Sequence, residues 1–347
     1  MTVNQPIRVG IAGLGRSGWN IHAHLLEPLT DQFQVAAVVD ADEGRRNEAI
    51  DRFDCMAYTS YDDLLADPGV ELIVVALPSH LHAELAIAAL EAGKHVICEK
   101  PMATALADAD RMVAAAAASD HNLTIFQNRR YDPHFAQVRK IIDSGILGRI
   151  VQIRLTASSF GRRWDWQTLK QFGGGTLNNT GPHFIDLALQ LFGDAEPTQV
   201  YAHLDRTLTL GDADDHVKLV FKGEETPTVD MEMSAATAYP SEFWNIMGTQ
   251  GGLAGSPKEL RWRYMNPAQL PPRELDTMPT PDRSYNRDEI VWQEGHWHAD
   301  EYEGPGYEAF YLDLYQAIRN DAPLFVTPES VRRVIWLMEE CRRLSPV

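Results

Sequence analysis

Short, almost wholly apolar runs recur through the first third of the chain. They are Ile7–Ala12, Gln34–Val39, Glu71–Leu77, Lys94–Cys98 and Leu123–Phe126. Runs of this length read as strands buried on both faces. Between them lie segments of helical character: Ser17–Leu29, Ala41–Phe53, Asp62–Asp67, and the alanine-rich His82–Ala92 and Ala103–Ser119. Strands alternating with helices predict a doubly wound parallel sheet. The pattern changes near Gln127. A helix is expected from Asn128 to Asp143, closed by Gly145 and Gly148. From Ile150 apolar and polar positions alternate, over Ile150–Ala157, Thr198–His203, Val217–Phe221 and Thr228–Ser234. That period predicts a half-exposed antiparallel sheet. Two amphipathic helices, Tyr307–Asn320 and Thr327–Leu344, close the chain, with Thr327 as N-cap and Pro328 in the first turn. The expected organisation is two domains, 1–127 and 128–347. The Pro-, Trp- and charge-rich stretch from Gly251 to about Tyr302 carries no assignable pattern, and His296-Trp297-His298 within it reads as a surface loop.

The first run leads directly into Gly13-Leu14-Gly15-Arg16-Ser17-Gly18. Glycines spaced G-x-G-x-x-G between a strand and a helix give a tight turn, close backbone approach to a diphosphate and close helix–sheet packing. The helix would start near Ser17, with its free N–H groups towards the phosphates. The second strand ends in Asp40, 22 residues past Gly18, where a ribose-binding acid is expected. A dinucleotide site follows. A carboxylate at Asp40 would repel a 2′-phosphate, which favours NAD over NADP, although Arg45 and Arg46 stand nearby. Pro78 and His82, after the strand Glu71–Leu77, and Glu99-Lys100-Pro101, after Lys94–Cys98, occupy loops at strand carboxyl ends, where ligands of such sheets bind. Charged residues ending a buried strand are costly without partners, which marks Lys100 as functional. Its bond to Pro101 is a candidate cis bond.

A second constellation spans Arg162–Gly193. Gly173–Gly175 suggest a flexible entry to a helix that begins near Asn179 or Gly181, with Pro182 tolerated in the first turn. Asn179, His183 and Asp186 fall on one side of such a helix, and Phe184, Leu187, Ala188 and Leu191 form an apolar stripe on another. A histidine in the first turn, downstream of a dinucleotide fold, reads as a proton acceptor. Arg163, Asp165 and Trp166 suit the border of a substrate pocket.

Composition narrows the setting. The 347 residues are 44% hydrophobic and 23% charged, as in globular proteins. A net charge of −18 makes nucleic acid and anionic lipid poor partners. Three scattered cysteines, Cys55, Cys98 and Cys341, suggest neither a disulfide framework nor a zinc site, and no metal is expected. No apolar stretch is long enough to cross a bilayer. The expected location is the cytoplasm.

The motifs GLGRSG (13–18), EKP (99–101), NRRYDP (128–133) and GGGTLNNTGPHFID (173–186), in this order, resemble those of the Gfo/Idh/MocA oxidoreductases, the glucose–fructose and inositol dehydrogenase-like proteins. The resemblance covers essentially the whole chain. It implies an N-terminal Rossmann domain and a C-terminal α/β domain whose large open antiparallel sheet mediates homodimers or homotetramers. It also implies a nicotinamide cofactor, a sugar or polyol substrate, Lys100 as active-site lysine and His183 as catalytic histidine. The family motif often has aspartate where this chain has Asn179. Asn179, Asp165, Arg163, Trp166 and Asn128 are expected to contact substrate. The expected activity is NAD-dependent oxidation of a secondary hydroxyl. The alternatives are an NAD-retaining glycosidase or epimerase and a non-catalytic NAD-binding regulator.

Overall fold

The computed structural model describes residues 5–280 and 283–347. Its first sheet has six parallel strands: β1 (Ile7–Ala12), β2 (Phe33–Val39), β3 (Met56–Tyr58), β4 (Leu72–Val75), β5 (His95–Cys98) and β6 (Leu123–Ile125). Their spatial order is β3-β2-β1-β4-β5-β6. The order reverses between β1 and β4, so the crevice at their carboxyl ends is the expected ligand site of this architecture. Every residue of β4 is buried, in keeping with its unbroken apolar sequence. The edge strand β3 was not expected.

The second sheet has eight strands. They are β7 (Ile150–Ser158), β8 (Gln199–Asp205), β9 (His216–Lys222), β10 (Thr228–Ser234), β11 (Trp244–Gly248), β12 (Gly251–Gly255), β13 (Glu259–Tyr264) and β14 (Gln293–His298). The order is β14-β13-β12-β11-β7-β10-β9-β8. Pairing is antiparallel except between β7 and β10, which run parallel. Alternate residues Val217, Leu219 and Phe221 and Val229, Met231 and Met233 face the core. Helices Gly181–Phe192 and Pro328–Leu344 pack on that side. The stretch from Gly251 therefore supplies three strands, and His296-Trp297-His298 lies within β14, not in a loop. Residues 281 and 282 of that stretch lie outside the described residues.

The last two helices also return to the first sheet. Arg319, in helix Glu308–Asn320, pairs with Glu71 at 2.9 Å, Thr124 Oγ1 donates to Val326 O at 2.8 Å, and Arg332 pairs with Asp110. Among the described residues no helix is long and apolar enough to cross a membrane.

Candidate active site

The turn after β1 is held by contact between its own glycines. A Cβ on Gly18 would stand 1.8 Å from the Gly13 carbonyl oxygen, so no side chain fits there. The helical run that follows covers Gly18–Leu26, and its first six residues wind as a π-helix. It ends three residues earlier than expected. At the end of β2, Asp40 Oδ2 accepts from the Leu14 N–H at 2.7 Å and Oδ1 from the Asp42 N–H at 2.9 Å. The acid thus braces the glycine turn from the neighbouring strand, and Arg45 lies 3.6 Å from it.

Beyond β5, the Lys100–Pro101 bond is cis. Glu99 is buried, with Oε2 accepting from the Lys100 N–H at 2.9 Å and Oε1 3.3 Å from His22 Nε2. Burial alone would raise its pKa, but His22 and Lys100 hold the carboxyl down to about 2. Burial also pushes the Lys100 ammonium below the usual lysine range, as do Arg16 and Arg129, while Glu99 opposes the shift. His82 places Nδ1 2.7 Å from Pro101 O and Nε2 2.9 Å from Leu77 O. Its ring joins the loops after β4 and β5. Pro78 opens the short turn Ser79–Leu81 in the same loop.

From the second half, Gly173–Gly175 form a packed turn, not a flexible entry. Gly174 has Gln167 O 2.2 Å from its would-be Cβ, and Gly175, at φ +107°, donates to Gln167 O at 2.9 Å. Two helices follow, Thr176–Asn179 and Gly181–Phe192, broken at Thr180. Gln127 Nε2 donates to Pro182 O at 3.1 Å and fixes the start of the second. That helix is buried on nearly every side. Only His183, Gln190 and Leu191 keep partial exposure. Asp186 faces away from the cleft and takes a two-pronged bond from Arg130, at 2.8 and 2.6 Å.

The two halves meet at one cleft of about 400 Å³. Arg16, Ser17, Glu99 and Lys100 line it from the first sheet's loops; Asn128, Arg163, Asn179 and His183 line it from the rest of the chain. Lys100 Nζ donates to Asn179 O at 3.3 Å across the junction. His183 Nδ1 is shut off from solvent and has no hydrogen-bond partner among the described residues. Burial, and then Lys100 and Arg129, push its pKa down to about 3, so the ring is neutral at physiological pH. Asp165 and Trp166 are not in the walls. Asp165 grips Arg163 at 2.9 and 2.8 Å, and Trp166 is 59% exposed. The cleft also includes Arg129, Gln167 and Tyr307, which sequence reasoning did not single out. Arg129 lies inside the quoted NRRYDP motif, and its charge on a turn after the last strand was the available signal. Tyr307 carried none, because only the return of the chain's last helices brings it here.

A glycine-turned dinucleotide fold joined through a lysine–histidine cleft to a large mixed sheet defines a two-part oxidoreductase. The family model described as "Oxidoreductase family, NAD-binding Rossmann fold" matches residues 7–127, and the GFO/IDH/MocA C-terminal domain model matches 135–254. The chain belongs to the Gfo/Idh/MocA oxidoreductase family. It is 32% identical to an uncharacterized oxidoreductase of Schizosaccharomyces pombe, over 71% of this chain and 70% of that one. It is 31% identical to the myo-inositol 2-dehydrogenase of Thermotoga maritima, over 71% and 74%. It is 33% identical to IolW of Bacillus subtilis, a scyllo-inositol 2-dehydrogenase (NADP(+)), over 54% and 52%. Among solved structures, an NAD-binding protein from Listeria innocua aligns with TM-score 0.79 at 24% identity, over 98% of this chain and 97% of that one. The WlbA dehydrogenase of Bordetella pertussis, solved with NADH and UDP-GlcNAcA, aligns with TM-score 0.76 at 22% identity, over 98% and 96%. These two likenesses concern the fold alone.

Proposed function

We propose that this protein is an NAD-dependent dehydrogenase that moves a hydride between a secondary hydroxyl of a sugar, polyol or glycoside and the nicotinamide. The observation that carries this reading is the meeting of Lys100 and His183 in one cleft with Arg16 and Ser17 of the glycine turn. The inositol dehydrogenase relatives support the substrate class.

The residues present fit a dinucleotide. Nothing lies within 4 Å of the place where a Gly15 Cβ would stand, which leaves the turn open to a diphosphate. The Arg16 guanidinium makes no hydrogen bond or ion pair among the described residues. Gly13, Leu14, Gly15, Arg16, Ser17 and Gly18 would hold the diphosphate, Asp40 the adenosine ribose, and Pro78, Glu99 and Lys100 the nicotinamide end. Asp40 favours NAD through repulsion of a 2′-phosphate. Arg45, 3.6 Å away, is the residue through which NADP would be accommodated.

When bound, the nicotinamide supplies the hydride acceptor. His183, a neutral imidazole in the cleft wall, accepts the hydroxyl proton. Lys100 donates to the same oxygen and stabilises the charge that develops on it. Asn128, Asn179 and Arg163 orient neighbouring hydroxyls, with Asp165 holding Arg163 in place. The division at residue 127 into cofactor and substrate halves, a cytoplasmic location and assembly as a homodimer or homotetramer through the large sheet belong to the same proposal. The three buried free thiols support a reducing compartment.

A panel of sugars and polyols is tested with NAD and with NADP, read at the nicotinamide absorbance. Lys100→Ala and His183→Ala are each expected to lose about 100-fold or more in kcat while binding NADH within a few-fold of the parent. Retention of turnover by both variants would sink the mechanism.

A further inference from the structure

Among the described residues, the chain beyond residue 127 lines the cleft with Asn128, Arg129, Arg163, Gln167, Asn179 and His183, among others, and with no carboxylate. The acids close to this wall stand behind its arginines. Asp132 contacts Arg129 at 3.2 Å and accepts from Tyr307 at 2.6 Å; Asp165 grips Arg163. From the first half, the one acidic liner is Glu99, already engaged by His22 and the Lys100 N–H. Four cations, Arg16, Lys100, Arg129 and Arg163, therefore line the cleft of a protein whose net charge is −18.

Hydrogen-bond capacity is just as lopsided. Arg129 spends one N–H on Asp132, and the rest find no partner among the described residues. Arg163 spends Nε and Nη2 on Asp165 and Gln167 and leaves Nη1 free. Lys100 spends one N–H of three. Arginine and lysine only donate, whereas each hydroxyl of a neutral polyol brings a proton that needs an acceptor. The acceptors on the wall are amide oxygens, an imidazole and the hydroxyls of Thr180 and Tyr307, and Gln167 Oε1 is already taken by Arg163. The free N–H groups of Arg129 and Arg163 are charged, and a carboxylate, which only accepts, engages them more strongly than a neutral hydroxyl does.

We infer that the cleft takes a substrate carrying its own carboxylate, a sugar acid of the aldonate or uronate kind, with Arg129 and Arg163 on the carboxylate and Lys100 and His183 on the carbinol. This rests on the dehydrogenase reading and specifies its substrate class. Planar guanidinium groups suit a carboxylate geometrically as well as by charge. The anion also assists the base. Glu99 and Asp132 favour proton uptake by His183 but do not outweigh burial, Lys100 and Arg129, and residue 179, an amide, adds no charge of its own. A substrate carboxylate seated on Arg129 offsets one of the cations that disfavour proton uptake by His183.

The test compares kcat/KM for matched sets: a neutral sugar or polyol, its aldonate or uronate, and its phosphate ester. Each set is run at low salt and at about 0.5 M salt. The expected result is a preference of about tenfold or more for the carboxylate member, shrinking several-fold at high salt. Arg129→Gln and Arg163→Gln should each reduce the acid-to-neutral ratio, chiefly through KM, and Arg163→Lys should restore part of it. Arg261→Gln, remote on the sheet, should leave the ratio unchanged. The wild-type arms stand even if a variant folds poorly. Equal or better use of the neutral members overturns this inference and leaves the dehydrogenase reading intact. Phosphate esters outrunning the acids overturn the carboxylate assignment. No NAD(P)H formation with any member overturns both readings.

Discussion

The Tyr311 hydroxyl lies 2.7 Å from His22 Nδ1, and both side chains are fully buried. With Tyr311 donating, the proton of the imidazole sits on Nε2, 3.3 Å from Glu99 Oε1. A residue near the end of the chain thereby orients the histidine that faces the acid next to Lys100. Phe33, Phe126 and Phe310 pack edge-on or tilted around the pair and keep water away.

Tyr311→Phe keeps this packing and deletes one hydroxyl. His22 Nδ1 is then buried without a partner, at a cost of about 1–3 kcal/mol. The urea midpoint should fall with no change in slope. An unchanged midpoint would show that the contact contributes nothing to stability.

The first sheet was legible because parallel strands buried on both faces leave apolar runs in the sequence, and because the glycine turn is local. β3 was missed since Met56–Tyr58 is a three-residue edge strand with no fully buried residue. β11 and β12 were hidden by Gly248, Gly251, Gly252 and Gly255, which blank the alternation a strand needs. The parallel pairing of β7 with β10 left no trace, since alternation marks a strand's faces and not the direction of its neighbour. Lys100 and His183 stood out through their own flanking residues. Asp186 was grouped with His183 by helical spacing, yet the two point to different surroundings, because Arg130 claims the aspartate from the turn after β6. Partners of that kind are chosen by the tertiary fold and are invisible to periodicity.

The Arg130–Asp186 pair is 99% buried on both sides, and Arg130 also reaches Ser330 Oγ at 3.0 Å and Phe325 O at 3.2 Å. Arg130→Met leaves a buried carboxylate unpaired and should cost about 3–5 kcal/mol. The double variant Arg130→Met/Asp186→Leu removes both charges and should cost clearly less than the sum of the two single changes. A double-mutant cycle in urea measures this. Strict additivity would mean that the pair is not coupled.

His183 also ties stability to pH. In the folded chain its pKa is depressed to about 3, whereas an unfolded histidine titrates near 6.5. Between those values the unfolded chain binds the extra proton, so stability is complete above about pH 6.5 and declines as the pH falls towards 3. His95, lowered to about 4, acts with the same sign. The His183 share is isolated by comparison with His183→Gln. From pH 6.5 to pH 5 the wild type should lose about 2 kcal/mol more than the variant. Parallel stability curves for the two proteins would refute a suppressed protonation at this ring.

Asn179→Asp tests whether the wall of the cleft governs the base. Asn179 and His183 line the same cleft, and Asn179 O is the group that receives Lys100 Nζ. In the wild type burial, Lys100 and Arg129 outweigh Glu99 and Asp132, and the imidazole resists protonation down to about pH 3. A carboxylate at position 179 favours the imidazolium and raises the pKa. With a neutral substrate, the acid limb of the kcat/KM profile should move to higher pH, into a range where the protein is still folded. With a sugar acid, the same new charge repels the substrate, and kcat/KM should fall further than for its neutral partner. A limb that stays in place would separate residue 179 electrostatically from His183, and an equal loss for both substrates would separate it from the carboxylate.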